Sequence, residues 1–463
     1  LLKFSRVIMF YLMDPTTRRS FQCPRQSHLV DGMLQMELRR LKTQNAYLYL
    51  DIFRRIVYRI MHRIFRQRYY ENSRYFKKNG PILIMIGGEW AISKGFLEAG
   101  LMYELASAYN AIMYYTEHRY YGKSKPTENL QYLSVDQALA DLAYFIETRK
   151  KDEKLQNSKV IVFGGSYAGN VATWLRLKYP HLVQGALASS APVLAKVDFY
   201  EYYEVVTESL RRHSEKCVDK VKAAFDEVEE LFATKGGAQK IKQYFNYHYL
   251  SNQEFAGIVQ YDKVENNRTK IAACCENMTA SYLGSPLQRL AHFVSDKDKC
   301  LENNYDKFVE VYRNETWGSQ PDISTLWFYQ TCTEYGYYQT TNSRKSIFGN
   351  LFPLPYFTEI VHKLYRLSYS YDNRFLYSRV RRTNTMYGGL RPDLQNVIFT
   401  NGDVDPWHAL SVLQDLNTFS PAILIKGSSH CPFTATIIAR ITYLVVANYQ
   451  SYDKSIDDFI LSI

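Results

Sequence analysis

Six short apolar runs recur along the chain: ILIMI at 82–86, AIMYY at 111–115, VIVF at 160–163, GALASS at 185–190, VIFT at 397–400 and ILIK at 423–426. Most are continuous rather than alternating, which is the pattern of strands buried on both faces of a parallel sheet. Between the first four lie stretches of helical periodicity, EAGLMYELASAY, SVDQALADLAYFIETRKK and AGNVATWLRLKY. Repeated strand and helix alternation predicts an α/β fold with a doubly wound sheet. From about Lys196 to Thr383 the strand rhythm stops, and helical patterns such as CVDKVKAAFDEVEELFATK take over. The expected organisation is a poorly defined N-terminal segment (1–65), a sheet domain in two parts (66–195 and 386–463), and a mainly helical cap inserted between them (196–385). The sheet pattern ends in an apolar, helix-like stretch, TATIIARITYLVVANY. There is no internal repeat and no low-complexity linker.

Composition narrows the class. The 463 residues are 46% hydrophobic and 22% charged, as in globular proteins, and no 18 apolar residues run uninterrupted, so no membrane span is expected. A formal charge of +11 raises the question of nucleic acid. Lys and Arg are scattered, however, and the densest cluster, Arg54 to Arg74 with RQRYYENSRYF, reads as a solvated face, so no nucleic-acid partner is expected. Seven cysteines form no CxxC pair and ten histidines no HExxH, which argues against zinc; no metal or cofactor is expected. Five of the seven (Cys217, Cys274, Cys275, Cys300, Cys332) share the cap region with three sequons, at Asn267, Asn277 and Asn314. That clustering predicts disulfides and an oxidising, secretory compartment. The opening LLKFSRVIMFYLM begins without Met, is broken by Lys3 and Arg6, and makes a poor signal sequence; the first sixty or so residues read as an incomplete start.

The candidate chemistry centres on VIVFGGSYAGNVATW (160–174), where a strand runs through two glycines into Ser166 and then into a helix. A strand, sharp turn and helix hold a serine in a strained conformation with its hydroxyl above the sheet edge, and they demand small neighbours, here Gly164 and Ala168. Serine needs an imidazole to take its proton and a carboxylate to fix the imidazole tautomer. Two later strand ends offer both: VIFTNGDVDPWHAL places Asp403 and Asp405 after one, and ILIKGSSHCPF places His430 after the next. Pro406 restricts Asp405 to extended conformations and favours it as the acid, while Asp403 is expected to hydrogen-bond its own turn. The oxyanion would be held by the backbone N–H of Tyr167 and by one from the GGEW turn, Gly88. His118 in TEHRYYG is read as structural and His408 as a rim residue. Glu89 and Glu334 are the acids expected to bind a substrate amine.

Several stretches together carry a family resemblance: PILIMIGGEW, EHRYYGKSKP, LSVDQALADLAYFI, GGSYAGNVATWLRLKYPHLVQGALASSAPV, WFYQTCTEYGYYQTT, NGDVDPWHAL and GSSHC. The chain resembles the S28 serine peptidases over about 66–463, with GGSYAGN and SSHC most similar to the thymus-specific branch. The resemblance implies an α/β-hydrolase fold with a helical cap and a triad of Ser166, Asp405 and His430. It also implies a lysosomal or secreted location, and short peptide substrates cut near a chain end, often after proline. Two departures stand out: the family's usual Gln-x-x-Asp-His-Phe stretch is replaced by VYRIMHRIFRQRYY, and Ala168 stands at the fifth elbow position. A homodimer is carried as a candidate assembly. The rival readings are an inactive hydrolase-fold binding protein and a serine esterase.

Overall fold

The computed structural model describes residues 65–127, 129–244, 264–265, 268–294, 323–365 and 373–431. The described residues belong to one compact unit, Phe65–Ile463. The helix-like stretch at 434–449 and most of the basic cluster from Arg54 lie outside them.

The sheet domain begins with β1 (Tyr69–Asn72) and β2 (Ile82–Ile86), followed by α1 (Leu101–Tyr109), β3 (Ile112–Thr116), α2 (Val135–Arg149), β4 (Val160–Gly165), α3 (Tyr167–Lys178) and β5 (Gly185–Ser189). The insertion opens with β6 (Lys196–Asp198), α4 (Glu201–His213), α5 (Glu215–Phe232), α6 (Gly237–Tyr244), α7 (Lys270–Thr279) and α8 (Pro286–Val294). It continues through α9 (Ile323–Gln330), a π turn (Thr331–Tyr335), β7 (Gly336–Tyr338), α10 (Leu354–Tyr365) and α11 (Asn373–Tyr387), after which β8 (Val397–Gly402) and β9 (Ala422–Ile425) complete the sheet. The seven strands lie in the order β1-β3-β2-β4-β5-β8-β9, and every neighbouring pair except β1 with β3 is parallel. This is the α/β-hydrolase arrangement.

Why the strand sequences are apolar throughout follows from the packing. Ile82, Ile84 and Ile86 of β2 and Val160 and Val162 of β4 face one core with Leu139, Leu142, Ile146, Val171 and Leu175 of α2 and α3. The alternate residues Leu83, Ile161 and Phe163 face a second core with Leu101, Met102 and Leu105 of α1. Successive strand side chains point to opposite faces, so a strand covered on both sides needs an apolar residue at every position. The first core continues into the insertion through Val218, Val221 and Phe225 of α5, so the helical segment shares its interior with the sheet domain.

Among the described residues five strands fall outside the sequence expectation, two of them a minimal antiparallel pair, Val264–Glu265 and Arg268–Thr269, in the insertion. β6 and β7 form a short parallel pair within the segment expected to be mainly helical. β1 lies within RQRYYENSRYF and pairs antiparallel at the sheet edge, with its side chains alternating between exposed and half-buried. The solvated-face reading of this cluster is corrected at Arg68, whose guanidinium is hydrogen-bonded through Nε (2.9 Å) and Nη2 to the buried carboxylate of Glu117. A buried carboxylate requires such a partner, which draws the arginine inward. In the insertion Cys217 of α5 and Cys275 of α7 form a disulfide, as the clustering of cysteines suggested, whereas Cys274, Cys332 and Cys431 are thiols. Of the sequons, only Asn277 is described; it sits in α7 and donates its side-chain N–H to the Ala273 carbonyl at 2.9 Å.

Candidate active site

β4 leads directly into Ser166, whose backbone adopts φ 57° and ψ −131°, and α3 begins at the next residue. A non-glycine residue held there costs of order 1–3 kcal/mol, so the surroundings must enforce it. The Ser166 N–H donates to the Ser189 carbonyl at the end of β5 (2.8 Å), and its own carbonyl accepts from the N–H groups of Gly169 (2.9 Å) and Asn170 (3.3 Å). The demand for small residues is visible atom by atom. A Cβ on Gly164 would stand 2.0 Å from the Ala168 carbonyl oxygen, and one on Gly169 would stand 2.9 Å from the Ala191 Cβ.

Because the strands are parallel, their C-terminal ends meet along one edge of the sheet, and the candidate residues gather there. Asp405, just beyond β8, has an extended backbone (φ −67°, ψ 116°), as a residue before proline prefers. Its carboxylate is fully buried: Oδ1 accepts from the Trp407 N–H at 3.0 Å, capping the short 3₁₀ turn Pro406–Leu410, and Oδ2 lies 2.8 Å from His430 Nδ1. Nδ1–H donation to the carboxylate makes Nε2 the acceptor nitrogen of the neutral ring. Burial by itself would lower the imidazole pKa. The adjacent Asp405 carboxylate, with lesser help from the Cys431 thiol, outweighs that and holds it well above the ordinary value.

The loops that carry Asp405 and His430 are laced together. Asp403 N–H donates to the Ile425 carbonyl and Val404 N–H to the Ser428 carbonyl, both at 3.1 Å. The expectation that Asp403 bonds its own turn is corrected: Oδ1 accepts from Gly427 N–H on the His430 loop (2.7 Å), and Oδ2 pairs with Arg212 of α4 (2.8 Å). The loops approach so closely that a Cβ on Gly402 would stand 2.1 Å from the Ser428 carbonyl oxygen, which brings the Gly427 N–H within reach of the Asp403 carboxylate. On the other side the Cys431 N–H donates to Ser190 Oγ (2.9 Å), tying the His430 loop to the end of β5. His408 turns away, donating Nδ1–H to the Gly402 carbonyl at 3.2 Å, and burial lowers its pKa.

β2 and β4 are adjacent, with Met85 opposite Phe163, so the GGEW turn after β2 and the elbow after β4 leave neighbouring strands at the same edge of the sheet. The turn is as tight as the elbow: a Cβ on Gly87 would stand 2.5 Å from the Thr116 carbonyl oxygen. Glu89 follows, with a buried Oε2 that has no hydrogen-bond partner among the described residues. Burial pushes its pKa up to about 6, opposed by its own backbone N–H and by the charge of His430. Against the elbow lies a cavity of about 70 Å³ with apolar walls that include Trp90, Phe163, Leu187 and the Cys431 side chain.

Glu334 stands elsewhere, in the π turn, and the expectation that it binds a substrate amine is not supported. Both carboxylate oxygens are engaged inside the protein: Oε1 accepts from the Val135 N–H (2.9 Å) and Oε2 from Gln330 Nε2 (3.1 Å). Burial pushes its pKa up to about 7. Gln330 also donates to the Tyr167 hydroxyl (3.0 Å), which meets His118 Nε2 at 3.1 Å. His118, read from the sequence as structural, is buried with both ring nitrogens in hydrogen-bond contact, and burial lowers its pKa to about 4. Sequence reasoning missed Gln330, although two polar residues four apart in the aromatic stretch WFYQTCTEYGYY are a signal of a buried polar network.

Comparison with known proteins agrees with this architecture. The serine carboxypeptidase S28 family matches residues 59–440. The thymus-specific serine protease of Mus musculus is 36% identical, with 80% of this chain and 78% of that protein aligned, and that of Homo sapiens is 34% identical over 80% and 78%. The lysosomal Pro-X carboxypeptidase of Homo sapiens is 29% identical, over 79% of this chain and 78% of that protein. With a strained serine at the elbow, a histidine and aspartate paired at the same sheet edge, and a family match over most of its length, the chain belongs to the serine carboxypeptidase S28 family and is a serine-type peptidase.

Proposed function

We propose that the chain is a serine exopeptidase that cleaves short peptides near a chain end, with Ser166 as nucleophile, His430 as general base and then acid, and Asp405 as the group that orients the imidazole. The observation that carries this reading is the 2.8 Å contact between His430 Nδ1 and the buried Asp405 Oδ2 at the sheet edge that also bears Ser166. Ser166 Oγ attacks the scissile carbonyl as His430 Nε2 takes its proton, and the oxyanion forms against the N–H groups of Tyr167 and Gly88. Collapse breaks the C–N bond, and the amine leaves with the proton from His430. Water then attacks the acyl-enzyme, again giving a proton to His430, and releases the acid and Ser166. Acyl transfer of this kind requires neither metal nor cofactor.

The finer assignments rest on separate supports. The helical insertion restricts entry to chain ends, and a preference for proline rests on the name of the Pro-X carboxypeptidase relatives. A lysosomal or secreted location is supported by the same relatives and by the Cys217–Cys275 disulfide, since disulfides persist in oxidising compartments. Glu89 is assigned to the substrate amine, because its buried Oε2 lacks a partner among the described residues and the carboxylate ionises above about pH 6. A fluorophosphonate probe tests the core of the reading. Labelling of the wild type and none of folded Ser166→Ala is expected; a folded wild type that resists the probe overturns it. Short peptides against matched esters then separate a peptidase from an esterase.

A further inference from the structure

The residue after the nucleophile is held by its side chain as well as by its backbone. Tyr167 opens α3, so its N–H belongs to the first helical turn and has no partner within the helix. Its ring is fully buried, with ring centroids of His118 and Trp327 at 5.5 Å and of Tyr335 at 5.6 Å. Its hydroxyl is a node of three hydrogen bonds whose directions can be deduced. His118 Nδ1 lies 2.8 Å from the Arg119 carbonyl and must donate to it, which leaves Nε2 to accept the Tyr167 proton. The Tyr167 oxygen accepts from Gln330 Nε2 (3.0 Å) and from the Tyr335 hydroxyl (3.3 Å).

Gln330 is in turn fixed on every side. Its second N–H goes to Glu334 Oε2, and its Oε1 accepts from the Tyr121 hydroxyl at 2.6 Å. The remaining Glu334 oxygen takes the Val135 N–H at the start of α2. The chain of bonds thus begins and ends on the sheet domain, at Arg119, Tyr121 and Val135, and passes through two side chains of the insertion to reach Tyr167. The π turn allows this, because its extra residue per turn re-aims the side chains after Gln330; such turns are frequent at functional sites.

We propose that Gln330 and Glu334 are positioning residues for acyl transfer, holding Tyr167 so that its backbone N–H meets the oxyanion that develops at Ser166. The inference rests on the reading of Ser166 as nucleophile. The Tyr167 N–H direction is set by rotation about its N–Cα bond. A ring clamped by three hydrogen bonds and packed on three aromatic neighbours resists that rotation, and neither residue touches the substrate.

The test uses the full-length enzyme with Gln330→Leu, Tyr167→Phe and the pair combined. Measured for each are kcat and KM on one short peptide, the rate of fluorophosphonate inactivation, and the melting temperature. Loss of an entire oxyanion donor costs about 10²–10³ in rate, so a misaimed one is expected to lower kcat about 10- to 100-fold with KM unchanged. Phosphonylation should slow by the same factor, and the combined variant should be no worse than the poorer single one, since both break one network. If Gln330→Leu does not fold, Tyr167→Phe, which lacks a single oxygen, carries the test, with Tyr335→Phe expected to show a smaller loss of the same kind. Wild-type kcat and phosphonylation in variants that only melt earlier would overturn the proposal, as would a loss confined to KM or one that multiplies in the combined variant. A wild type that resists the probe sinks the reading of Ser166; a labelled wild type with unaffected variants sinks only the positioning role.

Discussion

Two polar clusters flank Ser166, and they are built on opposite plans. At the sheet edge, Asp405 and His430 are supplied by loops after different strands, and the aspartate spends one oxygen on its own turn and the other on the imidazole. Beneath α3, the cluster of Tyr167, His118, Gln330, Tyr335 and Glu334 is buried within aromatic packing, with both Gln330 N–H groups and both Glu334 oxygens bonded internally. In the proposed reading the first cluster moves a proton, its basicity raised chiefly by the Asp405 carboxylate. The second, bonded internally, holds a direction in that reading. Acyl transfer at the serine would then draw its base and its aimed donor from different parts of the chain.

The comparison is sharpened most by removing the charge from the first cluster. Asp405→Asn is expected to fold normally and lose kcat/KM by up to about 10⁴-fold, because the amide favours the wrong imidazole tautomer. Retention of near-wild-type turnover would contradict the assignment. Next in size is the disulfide, which should affect the insertion and not the chemistry. Cys217 and Cys275 are 58 residues apart, and the chain-entropy model gives such a loop about 4 kcal/mol. Cys217→Ala/Cys275→Ala should therefore melt at a lower temperature while keeping kcat on a short peptide at temperatures where it stays folded; calorimetry paired with kinetics checks both.

The pH profile comes next. His430 must be neutral to accept the Ser166 proton, and Asp405 raises its pKa, so activity should rise with pH through a midpoint above the ordinary histidine value of ~6.5. A kcat/KM that is flat between pH 5 and 9 would argue against His430 as the base. The smallest effect is expected at Asp403, whose neighbours are the Gly427 N–H and the half-exposed Arg212. Exposed ion pairs contribute at most about 1 kcal/mol, so Asp403→Asn should reduce kcat/KM by no more than about fivefold. If Asp403→Asn proved the crippled variant and Asp405→Asn the active one, their roles would be exchanged.

How far the sequence revealed these clusters depended on the distance over which each is assembled. The strands β2, β4, β5 and β8 were legible because burial on both faces writes itself into an unbroken apolar run, and the elbow because steric crowding at Gly164 admits so little. Asp405 and His430 could be placed from the ends of β8 and β9. β1 was hidden because an edge strand facing water carries the charges of a solvated segment, and β6 and β7 because three residues are too few to show a period. The partners of Asp403 and Glu334 were out of reach for another reason. Arg212 and Val135 lie 191 and 199 residues away in sequence, and no local pattern announces such a contact. Glu334 was recognised as an acid of interest, yet its burial, with both oxygens bonded inside the protein, emerges only when the insertion folds back on α2.

The most direct test of the central claim is to trap the acyl-enzyme. A short peptide ester is mixed with the full-length protein, quenched in acid within the first turnover, digested and mapped by mass spectrometry. The acyl mass is expected on the peptide containing Ser166 in the wild type, absent in Ser166→Ala, and slow to form in Asp405→Asn. An acyl group on another residue, or peptide turnover that persists in Ser166→Ala, would contradict the claim.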